Sequence, residues 1–133
     1  MLEGPIPLSE LQRPDAAATA LLDHAPQSVV LCDGTWRIAY WNRASETLYG
    51  WTSAQVLGQE LNTLLQSRHP QPVQALQQTF ATHRAWDGDL ERTTASGNTL
   101  TVETTWAMVP AADGQSEWII EYGRDITALS DAE

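Results

Sequence analysis

Apolar residues change their spacing along this chain. Between Asp15 and Ala25, positions Ala18, Leu21, Leu22 and Ala25 recur at helical spacing, with Asp15 placed to cap and Pro26 to stop the helix. Ser28–Cys32 is a β-rich run, Asp33-Gly34 reads as a two-residue hairpin, and Arg37–Trp41 as its partner strand. Asn42 then suits the N-cap of a short helix with an apolar stripe of Ala44, Thr47 and Leu48, stopped by Gly50 as a left-handed C′ residue. Thr52 and Gln55 have the spacing of a capping box for a further turn holding Val56 and Leu57, and Gly58 breaks it. Leu61–Leu65 is a helical turn and Gln66–Pro72 a polar loop. Pro72 can serve as the first residue of a helix that repeats Val73, Leu76 and Phe80.

From Trp86 onwards the period is two. Trp86, Leu90 and Arg92 alternate up to a turn at Ser96-Gly97-Asn98. Leu100, Val102, Thr104, Trp106 and Met108 then share one strand face, with Thr101, Glu103 and Thr105 on the other. Asp113-Gly114 marks another turn, and Trp118, Ile120 and Tyr122 alternate in the last strand. The order predicts an α+β fold: a five-stranded antiparallel sheet, short helices crossing one face, and an N-terminal flanking helix. The expected divisions are a lead-in (1–14), the flanking helix (15–25), a core (26–128) and the start of a linker (129–133).

Composition narrows the function. At 133 residues the chain has the size of one domain, and its net charge of −10 argues against nucleic acid as a partner. No apolar run has the length of a membrane span and the N-terminus lacks a secretory signal pattern, so no membrane contact by this segment and a cytoplasmic location are expected. The single cysteine, Cys32, excludes an internal disulfide and a multi-cysteine metal site; it reads as a small buried hydrophobe. No nucleophile elbow or metal-ligand pair accompanies the scattered histidines and carboxylates. No catalytic or metal residue is assigned, and no enzyme activity is expected of the isolated domain.

Several landmarks occur in order: His24-Ala25-Pro26 before the first strand, strand-Asp-Gly-strand, and the Asn42…Gly50…Gly58 pattern. His69-Pro70, Trp86-Asp87-Gly88 and Gly123-Arg124-Asp125-Ile126-Thr127 follow. Over residues 20 to 128 the chain resembles a PAS domain of bacterial sensor proteins, of the sensor histidine kinase type. The resemblance implies a regulatory module that relays ligand, cofactor or partner occupancy to a fused C-terminal effector such as a histidine kinase. Asp125, Ile126 and Thr127 would be its signal relay. A PAS-type module with no small ligand, acting only in protein interaction and dimerisation, is the alternative; a small pocketed enzyme is a second. Ligand-pocket candidates are Leu61, Leu76, Phe80, Trp86, Leu90, Val102 and Thr104. Ala18, Leu21 and Leu22 are candidates for a homodimer contact with the outer face of the sheet.

Cofactors divide by residue. Flavin-cysteinyl photoreceptors require a cysteine where this chain has Asn62-Thr63-Leu64-Leu65-Gln66. Haem is not expected, because neither His69 nor His83 sits where the ligand of haem-binding PAS domains lies. Trp86-Asp87-Gly88 is similar to the Trp-x-Gly of PAS domains that hold flavin non-covalently, with Asn62 or Thr104 as polar partners, so flavin is the cofactor left open. The tryptophans otherwise read as a cavity plug or an interface cover, with Trp106 and Trp118 able to pack across adjacent strands.

Overall fold

The computed structural model describes residues 16–110 and 116–131, with side chains from residue 20 to residue 129. The lead-in, Asp15, the side chain of Ala18, the Asp113-Gly114 turn and the last two residues lie outside the described residues. Helix α1 (Ala16–Asp23) precedes strands β1 (Ser28–Cys32) and β2 (Ile38–Trp41). Helices α2 (Arg43–Tyr49), α3 (Ser53–Val56), α4 (Leu61–Leu64) and α5 (Val73–His83) follow. Strands β3 (Ala85–Thr93), β4 (Thr99–Pro110) and β5 (Glu117–Asp125) lead to α6 (Thr127–Asp131). They form the one five-stranded antiparallel sheet expected, in the order β2-β1-β5-β4-β3. Among the described residues no helix is long and apolar enough to cross a membrane.

The caps follow the sequence closely. Asn42 Oδ1 accepts from the Ser45 N–H at 3.0 Å, and Gly50 takes a left-handed conformation with φ of 79°. Thr52 and Gln55 form the capping box reciprocally. Pro72 is the N-cap of α5 rather than its first residue, and Leu76 and Phe80 are the buried side of that helix.

Several expectations are corrected. The buried side of α2 is Ser45 and Tyr49, one turn apart; Ala44 and Leu48 are half-buried and Thr47 is exposed. Tertiary contact with the sheet, not the mean hydropathy of the stripe, selects the face of so short a helix. Asp33-Gly34 is not a two-residue hairpin. Cys32 pairs with Ile38 across a longer loop, and Arg37 stands outside the strand, bridged to Glu60. Asp33 Oδ1 organises this loop by accepting from the N–H groups of Thr35 and Arg37 and from the Thr35 hydroxyl. The loop turns Trp36, at φ 66°, into the core.

The last strand is also out of phase with expectation. Ile119, Glu121 and Gly123 face inward, while Trp118, Ile120 and Tyr122 face outward. Trp106 points inward, so it and Trp118 lie on opposite faces and do not pack together. Inside, Trp106 has Trp36 and Trp86 at centroid distances of 4.5 Å each and Phe80 at 5.9 Å. This cluster fills the space between the helices and the sheet.

Candidate functional site

At the centre of the helix–sheet interface lies a charged pair that alternation alone hides. Arg92 of β3 and Glu121 of β5 are 0% and 1% exposed. Their bond is bidentate: Nη1 donates to Oε2 at 2.8 Å and Nη2 to Oε1 at 2.7 Å. The remaining donors of the guanidinium are also used. Nη1 donates to Tyr49 Oη at 3.0 Å, Nη2 to Asn62 Oδ1 at 3.1 Å, and Nε to Ser67 Oγ at 2.9 Å. The Trp106 indole N–H completes the carboxylate shell by donating to Glu121 Oε1 at 2.9 Å.

Each partner is put in place by its own local rule. Tyr49 is the last residue of α2, whose start is held by Asn42; Asn62 lies in α4, capped by Glu60, which accepts from the Thr63 N–H. Burial works to discharge Arg92, but Glu121 and Tyr49 beside it more than offset this and hold its pKa above the ordinary value. Burial pushes the Tyr49 phenol from 10.0 up to about 12. The Cys32 thiol, raised first by burial and next by Glu121, stays protonated, in keeping with a small hydrophobe.

A second buried group joins the helical layer to the start of the sheet. Asn42 Oδ1 accepts from the Val29 and Ser45 N–H groups and from the Ser45 hydroxyl. Its Nδ2 donates to the carbonyls of Leu22 at 2.8 Å and Gln27 at 3.0 Å. Ser45 and Ser28 share a hydroxyl bond of 2.7 Å. One asparagine thus fixes α1, β1 and α2 together, a role wider than the helix cap its position suggests.

The residues expected to line a pocket occupy this interior. Leu61, Leu76, Phe80, Leu90 and Val102 belong to one packed core with Trp36 and Trp106, and Trp86 packs half-buried against it. Thr104 is buried and its hydroxyl donates to the Val102 carbonyl. Trp86 and Trp106 are 4.5 Å apart at their centroids, which leaves no gap for an isoalloxazine ring between them. Asn62, the other polar partner considered for flavin, has its Oδ1 taken by Arg92, while its buried Nδ2 is without a partner among the described residues. As packed here, the two indoles leave a flavin ring no room, so Asn62 Nδ2 alone does not make a flavin site. Clefts bordered by described residues open at the surface instead, among them one of about 470 Å³ beside Ala44, Thr47 and Leu48.

The expected relay residues form a strand-to-helix corner. Asp125 Oδ1 accepts from the Thr127 N–H at 2.9 Å, Ile126 N–H donates to the Thr101 carbonyl at 2.9 Å, and Thr101 N–H donates to Thr127 Oγ1 at 3.0 Å. β5 and β4 therefore hold the start of α6 in place. Of the expected dimer contacts, Leu21 is 75% exposed and Leu22 half-buried.

In the sequence Arg92 is in phase with Trp86 and Leu90. An arginine in the inward phase of a strand calls for a buried counter-charge, and Glu121, inward in β5, supplies it here.

The fold is similar to that of solved structures. A PAS domain from Colwellia psychrerythraea is similar at 23% identity and a TM-score of 0.72, over 84% of this chain and 96% of that one. A PAS domain from a two-component sensor histidine kinase matches at 18% identity and 0.71, over 88% and 98%. The PAS domain of nitrogen regulation protein NR(II) from Vibrio parahaemolyticus matches at 19% and 0.69, over 84% and 99%. A family model described as the PAS fold matches residues 22–131. With helical layer, sheet order and terminal corner all in place, this chain belongs to the PAS family.

Proposed function

We propose that this chain is a regulatory PAS module that senses through a protein contact and passes its state to a fused effector, such as a histidine kinase, through Asp125–Thr127. The observation that carries this reading is the filled interior. A buried ion pair and four interlocked aromatic rings stand where an internal ligand would need space. The reading without a small ligand is therefore favoured over flavin or another internal molecule, and the domain has no catalytic part.

The input is assigned to the outer face of the sheet. Val109 lies opposite Trp118, Ala107 opposite Ile120, and Ile120 opposite Leu31, which together make an apolar surface. Val109 and Tyr122 are 38% and 42% exposed, and Leu21 of α1 adds a further bare apolar side chain. A second copy of the chain is the proposed occupant, in a cytoplasmic homodimer that uses this face and α1. The divisions proposed for it are the flanking helix at 15–25, the PAS core at 26–128 and the linker from 129.

Sedimentation of the full chain, of a chain lacking residues 1–25 and of Trp118→Asp tests the proposal. A dimer weakened by both changes is expected, and an oligomeric state indifferent to both refutes the contact. An absorption spectrum of the fresh protein with bands beyond the aromatic region would refute the ligand-free reading.

A further inference from the structure

A guanidinium has five N–H donors in one rigid plane, and Arg92 uses all of them inside the protein. Its acceptors come from α2, α4, the loop behind α4, and β5. None of them can shift without rotating that plane or leaving a buried donor unpaired. Apolar side chains would fill the same space at a lower desolvation cost, so stability alone is weak grounds for a buried pair here.

The strand that carries Glu121 runs directly to the terminal corner. At Gly123 the missing side chain makes room for the helical layer: a Cβ there would stand 3.1 Å from Val102 Cγ1 and 3.6 Å from Tyr49 Oη. Tyr49 thus accepts from the guanidinium and has its hydroxyl over Gly123, near the end of β5. Two residues further on, Asp125 begins the corner whose Ile126 N–H is bonded to Thr101.

We propose that Arg92 and Glu121 are positioning residues that couple helices α2 and α4 to strand β5, so that a displacement of the helical layer is felt at Ile126 and Thr127. This rests on the regulatory reading above and names its internal relay. The guanidinium acts as a shared node: moving Asn62 reorients it, Glu121 follows, and β5 slides or twists against β4 at the corner.

Amide hydrogen exchange on the full chain tests the coupling, with Asn62→Ala as input and the Ile126 N–H as output. In the otherwise unchanged protein, Asn62→Ala is expected to speed exchange at Ile126 about tenfold, the effect of losing one buried hydrogen bond, while amides of β1 hold their rates. In an Arg92→Met/Glu121→Met background the same Asn62→Ala leaves Ile126 unchanged. The proposal is overturned by equal effects in both backgrounds, by no effect at Ile126 in the first, or by a uniform rise across the sheet that marks simple destabilisation. If the double variant does not fold, Glu121→Gln serves as the background: it keeps the shape and removes the charge. The Asn62→Ala effect is expected to shrink there, and its persistence at full size overturns the proposal. Sedimentation of the same samples separates the two claims. A monomer fails the dimer reading whatever the exchange rates, whereas lost coupling in a dimer fails only this one.

Discussion

Replacing Glu121 by leucine removes a carboxylate and leaves everything around it in place. Two N–H donors of Arg92 and the indole N–H of Trp106 lose their acceptor in a site where Arg92 is 0% exposed. Burial, which Glu121 and Tyr49 together outweigh in the native pair, then acts on a cation with no counter-charge. Breaking one side of such a pair costs about 3–5 kcal/mol, a large part of the roughly 5–15 kcal/mol that holds a domain folded. With a urea dependence of about 1–3 kcal/mol per molar, the unfolding midpoint should fall by roughly 2 M. Equilibrium urea denaturation followed by tryptophan fluorescence measures this. The companion Arg92→Met/Glu121→Met removes both charges, and should recover at least half of the loss even though Tyr49, Asn62, Ser67 and Trp106 lose a partner. A loss below about 1 kcal/mol for Glu121→Leu would refute the reasoning, as would a double variant no more stable than the single one.

Other perturbations follow from the same contacts. The Tyr49 phenol titrates near 10 when unfolded and at about 12 when folded, so the unfolded chain loses its proton first. Stability should be unaffected by this group below pH 10 and fall by roughly 2–3 kcal/mol as the pH rises to 12; Tyr49→Phe should flatten that decline in urea melts at stepped pH. Asn42→Ala removes a cap and strands the N–H of Val29 and the carbonyls of Leu22 and Gln27, so thermal melts should show a cost of about 2–3 kcal/mol. In Gly88→Ala the new Cβ would lie 2.7 Å from Cζ2 of Trp86, so that ring must leave its place beside Trp106. Near-UV circular dichroism should change markedly, with a stability cost of about 1–3 kcal/mol.

The fold was largely written in local pattern, and the site was not. Caps at Asn42, Gly50 and Thr52 depend on residues within a few positions of one another, so spacing alone predicts them. Strand β4 alternates without interruption, and its inner face is the expected one. Strand β5 departs because its inward Glu121 is chosen by a partner elsewhere in the sheet. Register sets Arg92 opposite Leu100 and Glu121 opposite Trp106, two positions six residues apart along β4. Only long side chains reaching along the inner face close that distance, and no period of two encodes it. Trp36 was obscured for a related reason. Its burial depends on a loop that Asp33 shapes through bonds to Thr35 and Arg37, and a two-residue turn would have left the indole outside. The pocket candidates lie among the buried or half-buried interior residues, and hydropathy does not distinguish a lining from a filling.

The strand order has a consequence for protein engineering. The first and last strands are neighbours at the middle of the sheet, with Ser28 opposite Gly123. The chain therefore arrives and departs side by side, about 5 Å apart across an antiparallel pair. A host protein could accept the domain in a surface loop with hardly any gap to bridge. Because the two attachment points lie at the same end of an antiparallel pair, a pull between them would peel the ladder open from that end, bond by bond, rather than load it in shear. Grafted in this way, the domain would make a splice that yields progressively when the two parts it joins are drawn apart.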